Sequence, residues 1–242
     1  MTQQDIYAPS FVASLFDDMA RTYGVVNLIS SFGFARRWRR QCLNSIHISH
    51  GSAVLDLMTG MGELCPDLLR TVGPDGKVRA VDISPEMCNR ARQHVPKNEP
   101  RLQVIEADAL QCPIEDGSVD YVVSTFGLKT FNPMQLDKLA REVARVLRPG
   151  GQFAFLEISV PHARVLSWPY MFYLNRLIPL IGRLAFGNPD NYRLLGVYTS
   201  AFKNCKSVAD CFASAELSVD YRSYFFGCAT GIAGSKPNPE AG

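Results

Sequence analysis

The chain has 242 residues, a formal net charge of +2 and a hydrophobic fraction of 47%. This length suits one large α/β domain, and the apolar content excludes a chain that is disordered throughout. The small basic excess disfavours a dedicated nucleic-acid-binding protein, for which a large surplus of lysine and arginine is expected.

The cysteines and the N-terminus indicate the expected compartment. The seven cysteines are odd in number, widely spaced and without a CxxC pair, so we expect reduced thiols in a cytoplasmic protein rather than a zinc site or a disulfide framework. The first ten residues lack the basic and apolar regions of a signal peptide. Prolines and arginines interrupt the most apolar segment, Val165–Gly187, so no membrane span is predicted.

Strand-like and helix-like segments alternate along the chain, which is typical of a parallel sheet wrapped by helices. The N-terminal segment Phe11–Leu43 is predicted to be helical. Five short apolar runs then predict buried parallel strands, at Ala53–Leu57, Val78–Ile83, Leu102–Glu106, Tyr121–Thr125 and Phe153–Ile158. Apolar spacing and capping residues predict helices between them, at Glu63–Thr71, Pro85–Val95 and Pro133–Leu147.

A long apolar segment, Pro161–Phe212, separates the fifth strand from two closing strands at Ser218–Tyr224 and Cys228–Gly234. It is too long and too apolar for a solvated loop, so it is predicted to form a helical lid. We therefore expect one domain with a Rossmann-like, doubly wound, mostly parallel seven-stranded sheet. Its predicted parts are cap helices (1–50), a core (51–160), the lid (161–212), closing antiparallel strands (213–236) and a tail (237–242).

The most informative segment is VLDLMTGMG, residues 54–62. A strand that carries Asp56 is followed by a glycine turn that opens a helix. Gly60 and Gly62 let the backbone approach a ligand closely, and the free amides at the start of the helix can bind its polar groups. The glycine pair alone is also compatible with a plain strand-to-helix turn.

Acidic residues near the ends of three successive strands strengthen this interpretation. They are Asp56, Asp82 and Asp108. The carboxyl ends of parallel strands meet at one edge, where doubly wound sheets bind ligands. Asp82 lies 22 residues after Gly60, the spacing expected of a carboxylate that binds ribose hydroxyls.

A nicotinamide dinucleotide fits this turn poorly. Its fingerprint requires a third small residue to seat the pyrophosphate, and Cys65 stands at that position. Glu63 would also bring a negative charge close to the phosphates. S-adenosylmethionine, which is positively charged and has no phosphate, fits better.

The chain resembles the class I S-adenosylmethionine-dependent methyltransferases from about Phe11 to Gly234. More narrowly, it is similar to the family that C-methylates ubiquinone and menaquinone precursors. The motifs that carry the resemblance are FDDMARTY (16–23), SFG (31–33), VLDL (54–57), DISPEM (82–87), FGL (126–128), VLRPGG (146–151) and NPDNYR (188–193).

The resemblance implies S-adenosylmethionine as the cofactor. The turn Gly60–Gly62 would face its methionine end, Asp82 would bind both ribose hydroxyls, and Ile83 and Met87 would lie against the adenine. The full set implied to contact the cofactor is Tyr23, Asn27, Asp56, Gly60, Met61, Gly62, Asp82, Ile83, Met87, Asp108, Ala109 and Thr125.

The acceptor side departs from the family pattern. The family's Phe-Gly-[LI]-Arg-Asn reads FGLKT at residues 126–130. Lys129 replaces an arginine that lies beside the acceptor in the family, so it is the first candidate to stabilise a phenolate, without the planar fork of arginine. Further catalytic candidates are His162 and Glu157, and predicted acceptor contacts are Phe126, Tyr192 and Arg193. For these side chains a solvated or packing role is the alternative.

The predicted reaction is in-line methyl transfer to a carbon of a quinol or a related aromatic, for which positioning by the protein is central. No metal is expected. The alternatives are a secondary-metabolite methyltransferase that acts on O, N or C, and a cyclase or pericyclase that uses the cofactor without methyl transfer.

The expected partner is a small apolar or aromatic acceptor, not nucleic acid. The apolar stretch Leu166–Phe186 and the basic run Arg36–Arg40 leave open a membrane-surface contact, with lid packing and a solvated helix face as the respective alternatives. A homodimer is also left open.

Overall fold

The structure is a computed structural model that describes residues 5–184 and 188–238. Residues 1–4 of the predicted cap, 185–187 of the predicted lid and 239–242 of the predicted tail lie outside the described residues.

A seven-stranded sheet with the strand order β3-β2-β1-β4-β5-β7-β6 forms the centre of the molecule. The first five strands run parallel, and β7 is antiparallel to both β5 and β6. This confirms the predicted Rossmann-like fold. The chain order reverses between β1 and β4, and such a switch point is where doubly wound sheets bind ligands. The strands are β1 (Ala53–Leu57), β2 (Lys77–Asp82), β3 (Leu102–Glu106), β4 (Val119–Thr125), β5 (Leu147–Ile158), β6 (Ser218–Tyr224) and β7 (Ala229–Ser235).

Three strands begin earlier than the sequence predicts: β2 by one residue, at Lys77, β4 by two, at Val119, and β5 by six, at Leu147. Leu147 pairs with Val119 across an irregularity in the register. The RPGG run that follows the predicted helix Pro133–Leu147 therefore lies inside β5. An added Cβ at Gly151 would come 2.9 Å from the carbonyl oxygen of Arg148, so this position needs glycine.

Helices cover both faces of the sheet. The flanking helices are α4 (Cys65–Val72), α5 (Pro85–Gln93), α6 (Pro133–Val146) and α10 (Lys206–Ser214). A capping box between Asn132 and Gln135 begins α6. On one face α6 and α10 pack on the strands, with Phe153, Phe155 and Phe212 fully or almost fully buried. On the other face α4 packs on β1 and β2.

Three helices precede β1: α1 (Pro9–Met19), α2 (Tyr23–Ser31) and α3 (Phe34–Leu43). Helix α3 packs on the face of the sheet against β4 and β5. Asp17 Oδ1 accepts hydrogen bonds from Ser84 Oγ at 2.5 Å and from the backbone N–H of Glu86 at 3.1 Å. Gln135 Nε2 donates to the carbonyl oxygen of Tyr7 at 2.9 Å. These bonds attach the N-terminal segment to the starts of α5 and α6.

The predicted lid is helical in the structure, but its last helix, α10, packs beside the sheet. It consists of α7 (Arg164–Phe172), a π-helical turn (Tyr173–Leu177), α8 (Ile178–Leu184) and α9 (Pro189–Phe202). The predicted lid 161–212 also contains most of α10, which packs against α6 and β6. Val208 and Phe212 are buried in the main core, so hydrophobic burial puts α10 in the layer that flanks the sheet. We propose that the lid ends near Phe202.

Candidate functional site

A cleft with about 800 Å³ of space, part of it open to solvent, lies over the carboxyl ends of β1, β2 and β4. We call it the carboxyl-edge cleft. Its inner wall comes from the strand ends and its outer wall from Pro9, Val12 and Phe16 of α1. It is lined by seven residues of the predicted cofactor set, namely Tyr23, Gly60, Asp82, Ile83, Met87, Ala109 and Thr125.

The glycine turn shows why its residues differ in role. Gly60 has φ +59° and faces the cleft, and its N–H donates to Asp82 Oδ2 at 2.7 Å. Gly62 has φ +76°, and an added Cβ there would come 3.0 Å from Cα of Ala91. Gly62 therefore lets α5 pack against the turn, and it does not line the cleft. The side chain of Met61 packs near Gly24 of α2 rather than into the cleft.

Asp82 is the acidic residue that the structure brings into the cleft. Its Oδ1 accepts a bond from the N–H of Ser84 at 2.9 Å, and its Oδ2 accepts the bond from Gly60. Each carboxylate oxygen has further acceptor capacity, which suits a vicinal diol. Burial raises the pKa of Asp82 to about 6, so the group is mostly ionised at pH 7.

The other two predicted acids do not line the cleft. Asp56 is buried beneath the turn, where Oδ2 accepts a bond from Thr59 Oγ1 at 2.6 Å, and burial raises its pKa to about 7. Asp108 accepts a bond from the N–H of Leu110 at 2.9 Å and so supports the loop after β3. All three acids lie near strand ends, so this position alone could not predict which of them faces the cleft and which forms hydrogen bonds within the turn or loop beside it.

Two charged side chains outside the predicted cofactor set also line the carboxyl-edge cleft, Arg39 and Glu63. The sequence placed the charge of Glu63 near the ligand, whereas Arg39 was not singled out. Arg39 Nη2 donates to Glu63 Oε1 at 2.7 Å, and the Arg39 guanidinium carbon lies 5.2 Å from the ring centroid of Phe126. Arg36, Arg37 and Arg40 are exposed, as expected of a solvated face. Helical spacing in the sequence could have revealed the inward position of Arg39, because Arg39 lies on the same side of α3 as the buried residues Ala35, Trp38 and Cys42.

A second cavity adjoins the carboxyl-edge cleft and shares Tyr23 and Phe126 with it. We call it the apolar cavity. It encloses about 1260 Å³, part of it open to solvent. Helices α2, α3 and α7–α9 supply most of its walls, through apolar and aromatic side chains that include Val26, Phe34, Trp38, Leu166, Tyr170, Leu174, Ile178 and Leu195. Five predicted site residues line it, namely Tyr23, Asn27, Phe126, Lys129 and Tyr192.

Phe126 separates the two spaces. It is 8% exposed and has φ +68°, a left-handed conformation that is rare and unfavourable for a bulky residue. Strained residues of this kind cluster at functional sites when their surroundings hold them. Here Lys129 Nζ donates to the carbonyl oxygen of Phe126 at 2.7 Å.

Lys129 and Glu157 form a buried ion pair beside the apolar cavity. Lys129 Nζ lies 2.9 Å from Glu157 Oε1, and the two residues are 4% and 0% exposed. Glu157 also accepts bonds from the backbone N–H groups of Lys129 and Ile158. Among the described lining residues of this cavity, Lys129 is the one with a charged side chain. Burial raises the pKa values of the lining phenols Tyr23 and Tyr170, so both stay protonated near neutral pH.

Two predicted acceptor-side residues lie away from both spaces. His162 is exposed after β5, and Arg193 is exposed on α9, where its Nη1 contacts Asp190 Oδ1 at 2.6 Å. Neither is among the residues that line the cleft or the cavity. Tyr192, next to Arg193, is buried, and its hydroxyl lies 2.8 Å from Thr22 Oγ1.

The carboxyl-edge cleft fits S-adenosylmethionine better than a dinucleotide. Asp82 has acceptor capacity that a ribose diol could use, and apolar side chains from Ile83, Met87, Ala109 and Leu110 line the cleft beside it, where a base could pack. The charged side chains among the described lining residues are two carboxylates and one guanidinium, and the guanidinium is already paired. Such a lining favours a cation over a pyrophosphate.

Neither a metal-binding cluster nor a membrane-spanning helix is found in the part of the chain that the structure describes. Within 5–184 and 188–238, no group of three or more His, Cys, Asp or Glu side chains could hold a metal ion. Among the helices of the same ranges, none has the length and apolar character needed to cross a bilayer.

Comparison with known proteins identifies the family. The model described as the ubiE/COQ5 methyltransferase family matches residues 2–236. A demethylmenaquinone methyltransferase from Thermus thermophilus is 33% identical over 223 residues, which cover 92% of this chain and 100% of that protein. A ubiquinone/menaquinone biosynthesis C-methyltransferase UbiE from Hahella chejuensis is 35% identical over 188 residues, which cover 77% of this chain and 75% of that protein.

A solved structure supports the fold. The SAM-dependent methyltransferase from Aquifex aeolicus aligns with a TM-score of 0.58 at 22% identity, over 82% of this chain and 89% of that one. At this identity the likeness shows the fold alone, whereas the family match spans nearly the whole chain. The protein therefore belongs to the ubiE/COQ5 methyltransferase family and is an S-adenosylmethionine-dependent methyltransferase.

Proposed function

We propose that the protein methylates a ring carbon of a quinol that carries an apolar substituent. The observation that carries this proposal is the apolar cavity of about 1260 Å³, which adjoins the carboxyl-edge cleft across Phe126 and Tyr23. The names of the relatives, which refer to demethylmenaquinone and to ubiquinone and menaquinone biosynthesis, support the same class of acceptor. Bound S-adenosylmethionine supplies a methyl group on a positively charged sulfonium.

The residues of the cleft and the cavity have separate tasks in this proposal. Asp82 holds the ribose hydroxyls, and the apolar side chains beside it hold the adenine. Aromatic walls such as those of Trp38 and Tyr170 bind the acceptor ring and its substituent, which removes apolar area from water at about 25 cal/mol per Å². Fixing the ring carbon in line with the methyl group converts a bimolecular step into one within a single complex.

Lys129 is proposed to activate the acceptor. Its ammonium group has three N–H donors. One binds the carbonyl oxygen of Phe126 and one binds Glu157, which leaves one for an acceptor oxygen in the apolar cavity. A hydrogen bond to that oxygen stabilises the phenolate that forms when the ring hydroxyl loses its proton to solvent. The ring carbon then bonds to the methyl carbon as the sulfur–methyl bond breaks, and loss of the ring C–H proton to solvent restores the aromatic ring. Glu157 then acts by orienting Lys129, and the exposed position of His162 gives no support for the predicted role of this residue as a base.

The function can be tested with two acceptors that share a ring. We would incubate the protein and S-adenosylmethionine with a demethylated naphthoquinol that carries an apolar side chain, and separately with the same ring without the side chain. We expect S-adenosylhomocysteine to form, and the product to gain one methylene unit on a ring carbon, with a lower KM for the first acceptor. Methylation on oxygen would contradict the proposal, and so would a rearranged product without S-adenosylhomocysteine.

We further propose that the mouth of the apolar cavity rests on an anionic membrane surface. Large apolar side chains on α2, α7, α8 and the turn Phe225–Gly227 are 72% to 91% exposed, namely Leu28, Phe32, Val165, Trp168, Leu184 and Phe226. Phe32 and Phe225 also line the cavity. Residues 22–43 and 158–184 contain seven arginines and no aspartate or glutamate. Arg39 faces inward and is paired with Glu63, and the other six are exposed. Apolar side chains combined with unopposed cations are typical of peripheral binding to anionic lipid.

Vesicle sedimentation tests this surface. We expect the protein to bind vesicles that contain phosphatidylglycerol more strongly than vesicles of phosphatidylcholine alone, and Phe32→Ser with Trp168→Ser to reduce that binding. Met134→Ser, at an exposed apolar position on α6, is the matched control. The alternative is that two copies of the protein bury this face against each other in a homodimer. A stable dimer that the paired substitutions dissociate, together with no lipid binding, would replace the membrane proposal.

A further inference from the structure

The ion pair between Arg39 and Glu63 lies where the two spaces meet. Arg39 comes from the buried side of α3, and Glu63 directly follows the glycine turn. Both side chains line the carboxyl-edge cleft, and they are 13% and 21% exposed. The guanidinium of Arg39 also faces the ring of Phe126, which lines both the cleft and the apolar cavity.

The pair has more hydrogen-bonding capacity than the protein uses. A guanidinium has five N–H donors, and the structure gives Arg39 one hydrogen bond, to Glu63 Oε1. Its Nε is buried without a hydrogen-bond partner among the described residues. Leaving donors of a charged group unpaired in a buried position is costly. If the only role of the ion pair were to attach α3 to the glycine turn, a second hydrogen bond from Arg39 would stabilise it further. The unused donors of Arg39 instead point to a ligand that binds them.

The position of the Arg39–Glu63 ion pair in the cleft indicates which part of the cofactor would lie beside it. Asp82 and the apolar side chains of Ile83 and Met87 account for the ribose and the adenine. On the proposed function, in which the acceptor occupies the apolar cavity, the methyl group faces that cavity and the sulfur lies near Phe126. The amino-acid end attached to that sulfur then needs partners for one carboxylate and one ammonium. Besides Asp82, the charged side chains among the described lining residues are Arg39 and Glu63.

We propose that Arg39 and Glu63 form the subsite for the amino-acid end of S-adenosylmethionine. The guanidinium of Arg39 binds the α-carboxylate, where its fork geometry allows two parallel hydrogen bonds, and the carboxylate of Glu63 binds the α-ammonium. In the free protein the two side chains neutralise each other. In the complex each gains a partner of opposite charge, so neither buried charge is left uncompensated.

Calorimetry with three ligands separates this role from a structural one. The ligands are S-adenosylhomocysteine, its decarboxylated analogue S-adenosyl-3-thiopropylamine, and 5′-methylthioadenosine, which lacks the amino-acid end. Arg39→Met should weaken binding of S-adenosylhomocysteine by about 10- to 100-fold and leave 5′-methylthioadenosine within about twofold. Arg39→Lys should give an intermediate loss. The matched control is Arg40→Met, at the exposed neighbouring position on α3, which should bind all three ligands like the parent.

The decarboxylated analogue assigns the two partners. Arg39→Met should leave its affinity nearly unchanged, because the group that Arg39 binds is missing, whereas Glu63→Gln should weaken it by about tenfold. Equal losses for S-adenosylhomocysteine and 5′-methylthioadenosine in Arg39→Met would mean that Arg39 only supports the fold of the cleft. No loss for either ligand would also overturn the proposal. Because no acceptor is present, these outcomes are independent of the proposed quinol.

Discussion

The carboxyl-edge cleft and the apolar cavity lie side by side across Phe126, yet they are built from different parts of the molecule. The polar groups of the cleft belong to strand ends and tight turns, such as Gly60 and Asp82, whose positions the sheet fixes. The cavity is made mainly of side chains on helices outside the sheet. The cofactor is the same in every methyltransferase of this kind, so fixed polar groups on the sheet can bind it. The specificity for the acceptor, in contrast, can change through substitutions of helical side chains that leave the sheet undisturbed.

The largest effect that this comparison predicts is at Asp82. Asp82→Ala removes the charged group that we propose as the acceptor for two ribose hydroxyls, and each such bond contributes about 1.5–3 kcal/mol. We expect the affinity for S-adenosylhomocysteine to fall by more than about 100-fold, measured by calorimetry. Asp82→Asn keeps the shape of the side chain and separates lost charge from lost packing. A change of less than about twofold in both variants would show that the cleft does not hold the ribose as described.

The second prediction concerns the apolar cavity. Lys129→Met should lower turnover by about 100-fold, as expected for loss of one preorganised donor, with little change in the affinity for S-adenosylhomocysteine. Lys129→Arg should keep part of the activity, because the charge remains while the geometry changes.

A control is needed because Lys129→Met leaves the buried Glu157 without its cation. The double variant Lys129→Met with Glu157→Gln removes that charge, and thermal melting would report whether each variant folds. Normal turnover in a folded Lys129→Met variant would mean that activation comes from the acidity of the acceptor itself.

The smallest predicted effect is a pH dependence of cofactor binding. Burial raises the pKa of Asp82 to about 6, and the ionised form is the better acceptor for ribose hydroxyls. Affinity for S-adenosylhomocysteine should therefore be constant between about pH 7 and pH 8 and fall by about tenfold by pH 5, as calorimetry would record. Asp82→Asn should remove this dependence. A slope that persists in Asp82→Asn would mean that a group other than Asp82 titrates in this range.

Local patterns predicted most strands of the sheet. The bounds predicted for β1, β3 and β6 agree with the structure. β1 is a buried parallel strand, a class that leaves little choice of residue type, whereas β6 is an antiparallel strand whose residues are exposed or half-buried. The 22 residues that separate Gly60 from Asp82 span one turn–helix–strand unit, so the sequence alone indicates that the two residues lie at the same edge of the sheet. The hydrogen bond between these two residues confirms that they lie together.

The contacts that sequence reasoning missed depend on tertiary packing. Lys129 and Glu157 are 28 residues apart and meet because β4 and β5 are neighbours with Thr125 opposite Leu156. Arg39 stands in a run of arginines whose composition indicates a solvated face, and its helical spacing from Ala35, Trp38 and Cys42 was the one local sign that it turns inward. His162 follows a strand as Asp108 does, but the chain carries it out to solvent.

The most direct test of the division between cleft and cavity is a crystal structure with S-adenosylhomocysteine and a quinol bound together. We predict that the ribose hydroxyls lie within hydrogen-bonding distance of Asp82 and that the sulfur lies near Phe126. The quinol ring should occupy the apolar cavity, with one oxygen beside Lys129 Nζ. A cofactor in the apolar cavity, or a quinol ring bound on the α1 side of the carboxyl-edge cleft, would contradict this account.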